Sequence, residues 1–339
     1  MELLGLTPQL LVLFVSFGFM VGVLFGFFGM GGAFLVTPTL LILGYSAPVA
    51  IGSGLAFYFG TSVIAVMKHY DIGHVNYRLG AILFVGLTIG IEGGRILVFG
   101  LEEMGIASLV TGIAYVVLLA GIGAIFLRRA LATDATADEQ TESEDDIPAI
   151  AQHIQSYNIP PMVSLATGGR ASLWTISGTG GVVGLIAGML GVGGGFMRMP
   201  AIYYVIGTPL AAAVGTSLFA GLFSGAFGAF TYGISGSVDL GTVAVLLVGS
   251  ALGARIGSAA TTIVEEDAVI IYFGIMMLLA SVAIGLSEIG EWLDIAFIDV
   301  LSVLLLVGSA FFVGSMVLYQ AAQALRRRNA LGSPSEVTP

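Results

Sequence analysis

Between Glu2 and Lys68 the chain carries no charged side chain. About 20 apolar residues cross the hydrocarbon core of a bilayer, so this interval must enter a membrane more than once. The remainder agrees, with 57% apolar and 9% charged residues against roughly 25% charged in an average soluble domain. An integral membrane protein is expected. The first segment opens on an acid and stays apolar, without the basic start and small-residue cleavage site of a signal peptide, so it is expected to be retained. With no cysteine, disulfides and thiolate metal sites are excluded.

Apolar segments fall at Pro8 to Leu43, Ala47 to Met67, Tyr77 to Phe99, Ile106 to Leu127, Leu173 to Ile206, Leu210 to Tyr232, Leu240 to Val264, Val269 to Leu286 and Ile295 to Tyr319. Inside lipid every backbone N–H and C=O needs an internal partner, and the ten-residue alternation of a barrel is missing, so these read as helices. The expected fold is all-α. The organisation reads as a first transmembrane repeat over residues 1–128, an acidic cytoplasmic linker over 129–172, a second repeat with an extra helix over 173–325, and a basic cytoplasmic tail over 326–339. The linker contains "DATADEQTESEDDIP", which holds much of the net charge of −10 and has the low hydrophobicity of a solvated segment.

The two halves read as copies. Gly22, Gly26, Gly29, Gly31, Gly32, Phe34 and Pro38 align with Gly184, Gly188, Gly191, Gly193, Gly194, Phe196 and Pro200. One inserted residue later, Gly44, Gly52, Gly86 and Gly90 align with Gly207, Gly215, Gly249 and Gly253. Basic residues flanking spans favour the cytoplasm. If each interrupted segment is a hairpin returning to its own side, an outside N-terminus places Lys68, Arg78, Arg128, Arg129, Arg170 and Arg326 to Arg328 in the cytoplasm. The two repeats then have inverted topology, as in many secondary transporters.

A break within a membrane helix frees N–H groups, glycine lets them approach a ligand, and the positive end of the following helix favours an anion. Gly31, Gly32, Ala33 and Phe34 of one break, with Gly193, Gly194, Gly195 and Phe196 of the other, are therefore expected to face one small anion near the membrane midplane. Arg198 lies just beyond the second break, and its planar fork suits an oxyanion. Hydroxyls at Ser53, Thr216 and Ser217 are further candidates, with Thr61, Ser62 and Ser224 nearby. The rows Gly86, Gly90, Gly94 and Gly249, Gly253, Gly257 read instead as helix-packing surfaces. Glu92 can pair with Arg95 on its own helix or with Arg255, its alignment counterpart. Such a pair either clamps two helices or carries a coupling proton. His69 and His74 read as a cytoplasmic turn, and His153 falls in the linker. Neither break has the third glycine of a dinucleotide fingerprint or the Lys-Ser/Thr of a phosphate loop, and HExxH is absent.

The duplicated G-x-x-G-x-G-G-[AG]-F with its following proline, then "GSG" or "GTS", then "GARIG", resembles the sulfite exporter TauE/SafE family of membrane permeases over about Gly22 to Val317. The resemblance implies transport, without ATP hydrolysis, of sulfite, a sulfonate or another small sulfur-containing or organic anion across the cytoplasmic membrane. No enzymatic activity, cofactor, metal or nucleic acid is expected; the partners are an anionic solute, the lipid bilayer and a proton or sodium ion for coupling. Two other readings stay open: an anion channel, and a membrane scaffold or sensor acting through the acidic linker. Oligomeric state, direction of transport and the coupling ion are open as well.

Overall fold

A computed structural model describes residues 7–28, 33–69, 76–133, 159–164, 170–208, 210–261, 263–264, 267–293 and 295–331. Among them the first half forms α1 (Pro8–Phe28), α2 (Ala33–Ile42), α3 (Ala47–His69), α4 (Tyr77–Glu103) and α5 (Ala107–Thr133). The second half forms α6 (Leu173–Leu190), α7 (Gly195–Ala201), a π-helical turn at Ile202–Ile206, α8 (Leu210–Ile234), α9 (Leu240–Ala260), α10 (Asp267–Leu293) and α11 (Ala296–Leu331). Eight of these helices are long and apolar enough to cross a membrane. Large apolar side chains such as Phe230, Val248, Leu252 and Phe312 point outward and exposed, as a lipid-facing surface requires. The protein is an all-α, multi-pass integral membrane protein.

Within the stretch expected to be linker, α5 runs on to Thr133, and Met162–Ser164 (β1) pairs antiparallel with Arg170–Ser172 (β2). Val163 and Ala171 are buried beside Leu79, Leu83 and Ile176, so this short ribbon is packed under the bundle. Ser172 ends it and caps α6, its hydroxyl accepting from the Trp174 N–H. The acidic run from Asp134 to Asp146, together with Gly31, Gly32, His74 and His153, lies outside the described residues.

Glycine sets the helix pairing. A β-carbon added to Gly18, Gly22 or Gly26 of α1 would lie 2.3 to 2.4 Å from the carbonyl oxygens of Leu246, Ser250 and Ala254 in α9. The reverse holds for Gly249, Gly253 and Gly257 against Val15, Phe19 and Val23. The residue numbers rise together, so α1 and α9 run parallel, backbone against backbone. The same zipper joins α6 to α4, where Gly180, Gly184 and Gly188 meet Leu83, Leu87 and Ile91, and Gly86, Gly90 and Gly94 meet the backbone between Ser177 and Met189. Side chains would hold these backbones apart; without them dispersion and Cα–H contacts act over the whole length of both helices, which is how helices associate where lipid offers no hydrophobic drive.

Two further pairs run the other way. Gly52 approaches Tyr232, Gly228 approaches Leu55, and Gly225 approaches Tyr58 and Phe59, so α3 and α8 are antiparallel. Gly112 meets Glu288 while Gly123 meets Gly274, so α5 and α10 are antiparallel too. Exchanging each element of one half for its counterpart in the other maps this set of pairs onto itself.

Candidate functional site

The second break begins where α6 ends. Gly191 takes a left-handed conformation (φ 69°, ψ 13°) and its N–H bonds the Ala187 carbonyl at 2.8 Å. Such a turn is easy for glycine and costly for other residues. The last carbonyls of a helix have no partners inside it. Here side-chain hydroxyls from three other helices supply them: Tyr232 donates to the Gly188 oxygen at 2.7 Å, Tyr115 to Leu190, and Thr37 to Gly191 at 3.4 Å. Gly193 and Gly194 are also left-handed, with φ 68° and 69°. The chain then re-enters helix at Gly195, and Pro200, which has no N–H to donate, leads into the π-helical turn.

The two arms of each break differ in length. The first arms have 21 and 18 residues, roughly 27 to 31 Å at 1.5 Å per residue, which is enough for a near-complete crossing. The returning helices have only 10 and 7 residues. The returning arms meet through Phe34 and Phe196, whose rings stand edge to face with centroids 6.0 Å apart. Ala33 is buried beside them.

Arg198 is 1% exposed and projects from α7 against α3 and α8. Its Nε–H is shared between the Ser217 carbonyl at 3.0 Å and the Ser217 hydroxyl at 3.1 Å. Nη1 donates to the Gly193 carbonyl at 3.3 Å and the Ser224 hydroxyl at 3.4 Å, and Nη2 donates to the Tyr58 hydroxyl at 2.6 Å. Toward this guanidinium Gly193 presents its carbonyl, not the amide expected from the sequence. All these acceptors are neutral. Among the described residues the sole ion pair is Glu92 with Arg95, so Arg198 is a buried cation without a carboxylate. Burying an unpaired charge costs several kcal/mol, and neutral hydrogen bonds recover part of that. What the arrangement favours chemically is a small anion arriving beside it.

The other expected site residues divide. Ser217 belongs to the Arg198 cluster. Ser53 and Thr216, counterparts in the repeat, perform matching tasks away from it: the Ser53 hydroxyl accepts the Asp239 N–H at 2.9 Å, and Thr216 accepts the Asn76 N–H at 3.1 Å. Asp239 and Asn76 are the caps that start α9 and α4. These two hydroxyls therefore fasten helix starts across the halves. Glu92 bonds Arg95, with Nε 3.0 Å from its carboxylate, and Arg95 reaches the hydroxyl of Ser235, in the turn just after α8, at 3.1 Å. The alternative pairing with Arg255 is not formed. α4 packs on α6 and α8 whereas α9 packs on α1, so the two counterparts are carried apart, and Arg255 is exposed.

Tyr58 is the residue that the sequence did not single out. It is an aromatic in an apolar helix, without a motif around it, and its partner becomes visible once α3 is laid against α8. A cavity of about 390 Å³ between α3, α8 and α9 is lined by apolar side chains such as Ala56, Val243 and Leu247, with Gly60, and offers no charged side chain. Among the described residues there is no cluster suited to a metal ion.

The sequence pattern of the sulfite exporter TauE/SafE family matches residues 14–284. A probable membrane transporter protein of Xylella fastidiosa (strain 9a5c) is 26% identical over 270 residues, covering 76% of this chain and 87% of that protein. The probable membrane transporter protein YunE of Bacillus subtilis (strain 168) is 23% identical over 282 residues, covering 79% and 94%. YjnA of the same organism, similarly named, is 27% identical over 253 residues, covering 72% and 87%. No solved structure matches the chain. A buried arginine with no acidic partner among the described residues thus sits in a chain whose relatives are named as probable membrane transporters, and the protein belongs to the sulfite exporter TauE/SafE family of membrane transporters.

Proposed function

We propose that the protein is a secondary carrier that moves a small oxyanion, of the class of sulfite, sulfonates and related sulfur-containing or organic anions, across the cell membrane. The observation that carries this reading is Arg198, a cation 1% exposed with no acidic partner among the described residues. A transported anion would neutralise it in passing, whereas a structural arginine at that depth would be expected to keep a permanent carboxylate. Glycines of the two breaks, Gly31, Gly32, Gly193 and Gly194, would let the backbone approach the solute. The antiparallel courses of α3 with α8 and of α5 with α10, helices that are counterparts in the alignment, support inverted repeats. Alternating access then follows from one helix group rocking against the other. The orientation in this reading keeps the N-terminus outside and Arg326 to Arg328 in the cytoplasm.

The test is flux of labelled sulfite and sulfonates in proteoliposomes. Protein-dependent flux showing counterflow, abolished by Arg198→Ala, is the expected result. Flux no faster than in empty vesicles for every anion would refute the reading.

A further inference from the structure

Resting on Arg198 as the anion's counter-charge, we propose that the phenol of Tyr58 is a second ligand of the carried oxyanion and donates its own proton to it. A guanidinium has five N–H groups. Nε–H goes to Ser217, the Nη1 pair to Gly193 and Ser224, and one of the Nη2 pair to Tyr58. One Nη2 N–H has no acceptor among the described residues. The Tyr58 oxygen accepts in its bond to Arg198, so its O–H is unspent, and among the described residues it has no acceptor. Tyr58 is 3% exposed, and a buried donor of this kind is costly to leave unmade. A hydroxyl whose oxygen already accepts from a cation is polarised and donates more strongly.

The slot around the ring is specified by glycine. A β-carbon on Gly193 would lie 2.1 Å from the Tyr58 ring, one on Gly225 2.9 Å, and one on Gly221 would lie 2.2 Å from Nη2 and 2.5 Å from the Tyr58 hydroxyl. The phenol is thereby held in one place beside Arg198. The free Nη2 N–H and the free O–H sit on atoms 2.6 Å apart, close to the spacing of two oxygens on one central atom. That pair of donors fits a sulfonate, sulfite or carboxylate better than a single-atom halide. In the repeat, Tyr58 aligns with Gly221 and Arg198 with Val36, so the pair occurs once per chain.

The experiment is isothermal titration of the purified full chain with sodium methanesulfonate, which stays ionised at every working pH, and with sodium chloride. Tyr58 is replaced by phenylalanine or by 3-fluorotyrosine. Fluorine withdraws electrons, so the phenol becomes a better donor and a poorer acceptor. Methanesulfonate is expected to bind the fluorotyrosine protein more tightly and Tyr58→Phe about 10- to 100-fold more weakly, the value of a hydrogen bond to a charged group; chloride should change less. Unaltered or weaker binding to the fluorotyrosine protein overturns the proposal, since a phenol that served Arg198 as acceptor alone would respond that way. If Arg198→Ala abolishes binding while both Tyr58 variants match the wild type, the phenol's role falls and the Arg198 reading survives. If the wild type binds neither methanesulfonate nor, in a parallel titration, sodium sulfite, both fall.

Discussion

The two returning arms, α2 and α7, occupy equivalent places and are built for different ends. In α2 the first eight residues, Ala33 to Leu40, are all buried, Val36 stands at the position of Arg198, and Thr39 bonds back to the Leu35 carbonyl at 2.6 Å. In α7 the corresponding turn carries the arginine, followed by Pro200 and a π-helical turn. A similar contrast lies to their sides. The groove between α3, α8 and α9 is lined by Ala56, Gly60, Leu240 and Leu247, while their counterparts Phe219, Phe223, Tyr77 and Phe84 form a cluster of edge-on rings between α4 and α8. Packing between the halves is duplicated; charge and ring placement are not. The zippers and helix-start hydroxyls come in pairs, whereas the guanidinium and its phenol occur once.

That contrast can be attacked directly. The largest effect is expected at the duplicated glycines. Gly253→Leu and Gly184→Leu, whose β-carbons would lie 2.0 Å from the Phe19 oxygen and 2.3 Å from the Leu87 oxygen, should each prevent recovery of monodisperse protein on size-exclusion chromatography, because the obstacle is backbone and cannot swing aside. If one substitution is tolerated and the other is not, the halves are not equivalent in packing. Next comes the single charge: Arg198→Met should lower flux at least about 100-fold, the loss expected when a charged ligand group is removed from a buried site, with thermal stability retained or raised since an unpaired buried cation is gone. Placing the charge in the other arm, Val36→Arg in the Arg198→Met background, should restore nothing, as the Tyr58 slot exists on one side alone.

Smaller effects test the paired hydroxyls. Ser53→Ala and Thr216→Ala should each destabilise by about 1 kcal/mol, the net worth of a typical hydrogen bond, read as matching shifts in thermal unfolding and unchanged affinity for the transported anion. A loss of affinity in either would return that hydroxyl to the site. Smallest of all is Glu92 with Arg95. Both side chains are partly exposed, and a double-mutant cycle should give a coupling of no more than about 1 kcal/mol. A transport defect in Glu92→Gln would instead favour the coupling-proton role.

Much of the architecture was readable because lipid leaves few options: charge-free runs became helices, and the intramembrane Arg198 announced itself by its cost. The rows at Gly86 and Gly249 were readable as packing surfaces from their four-residue spacing. Their partners were harder. Gly22, Gly26, Gly184 and Gly188 have the same spacing yet lie next to the breaks, and pattern alone does not separate a glycine that lets a helix approach from one that lets the chain turn. Ser53 and Thr216 were recognisable as counterparts, but their task depends on which helix start lies beside them. The Glu92 to Arg255 pairing failed for a related reason: alignment identifies equivalents, and in this fold the equivalent fourth helices pack mainly on different partners. Tyr58 gave no signal, since its meaning comes from Gly193, Gly221 and Gly225 on other segments.

The crossed zippers have a consequence for how the chain can be divided. Helix α1 is fastened to α9 and α6 to α4, so the solid pieces of the molecule are each assembled from both ends of the polypeptide. Severed between Arg129 and Arg170, the protein would yield two fragments that each lack a mate for their opening helix. Such fragments would be orphans when synthesised separately and would recover a working whole on co-expression.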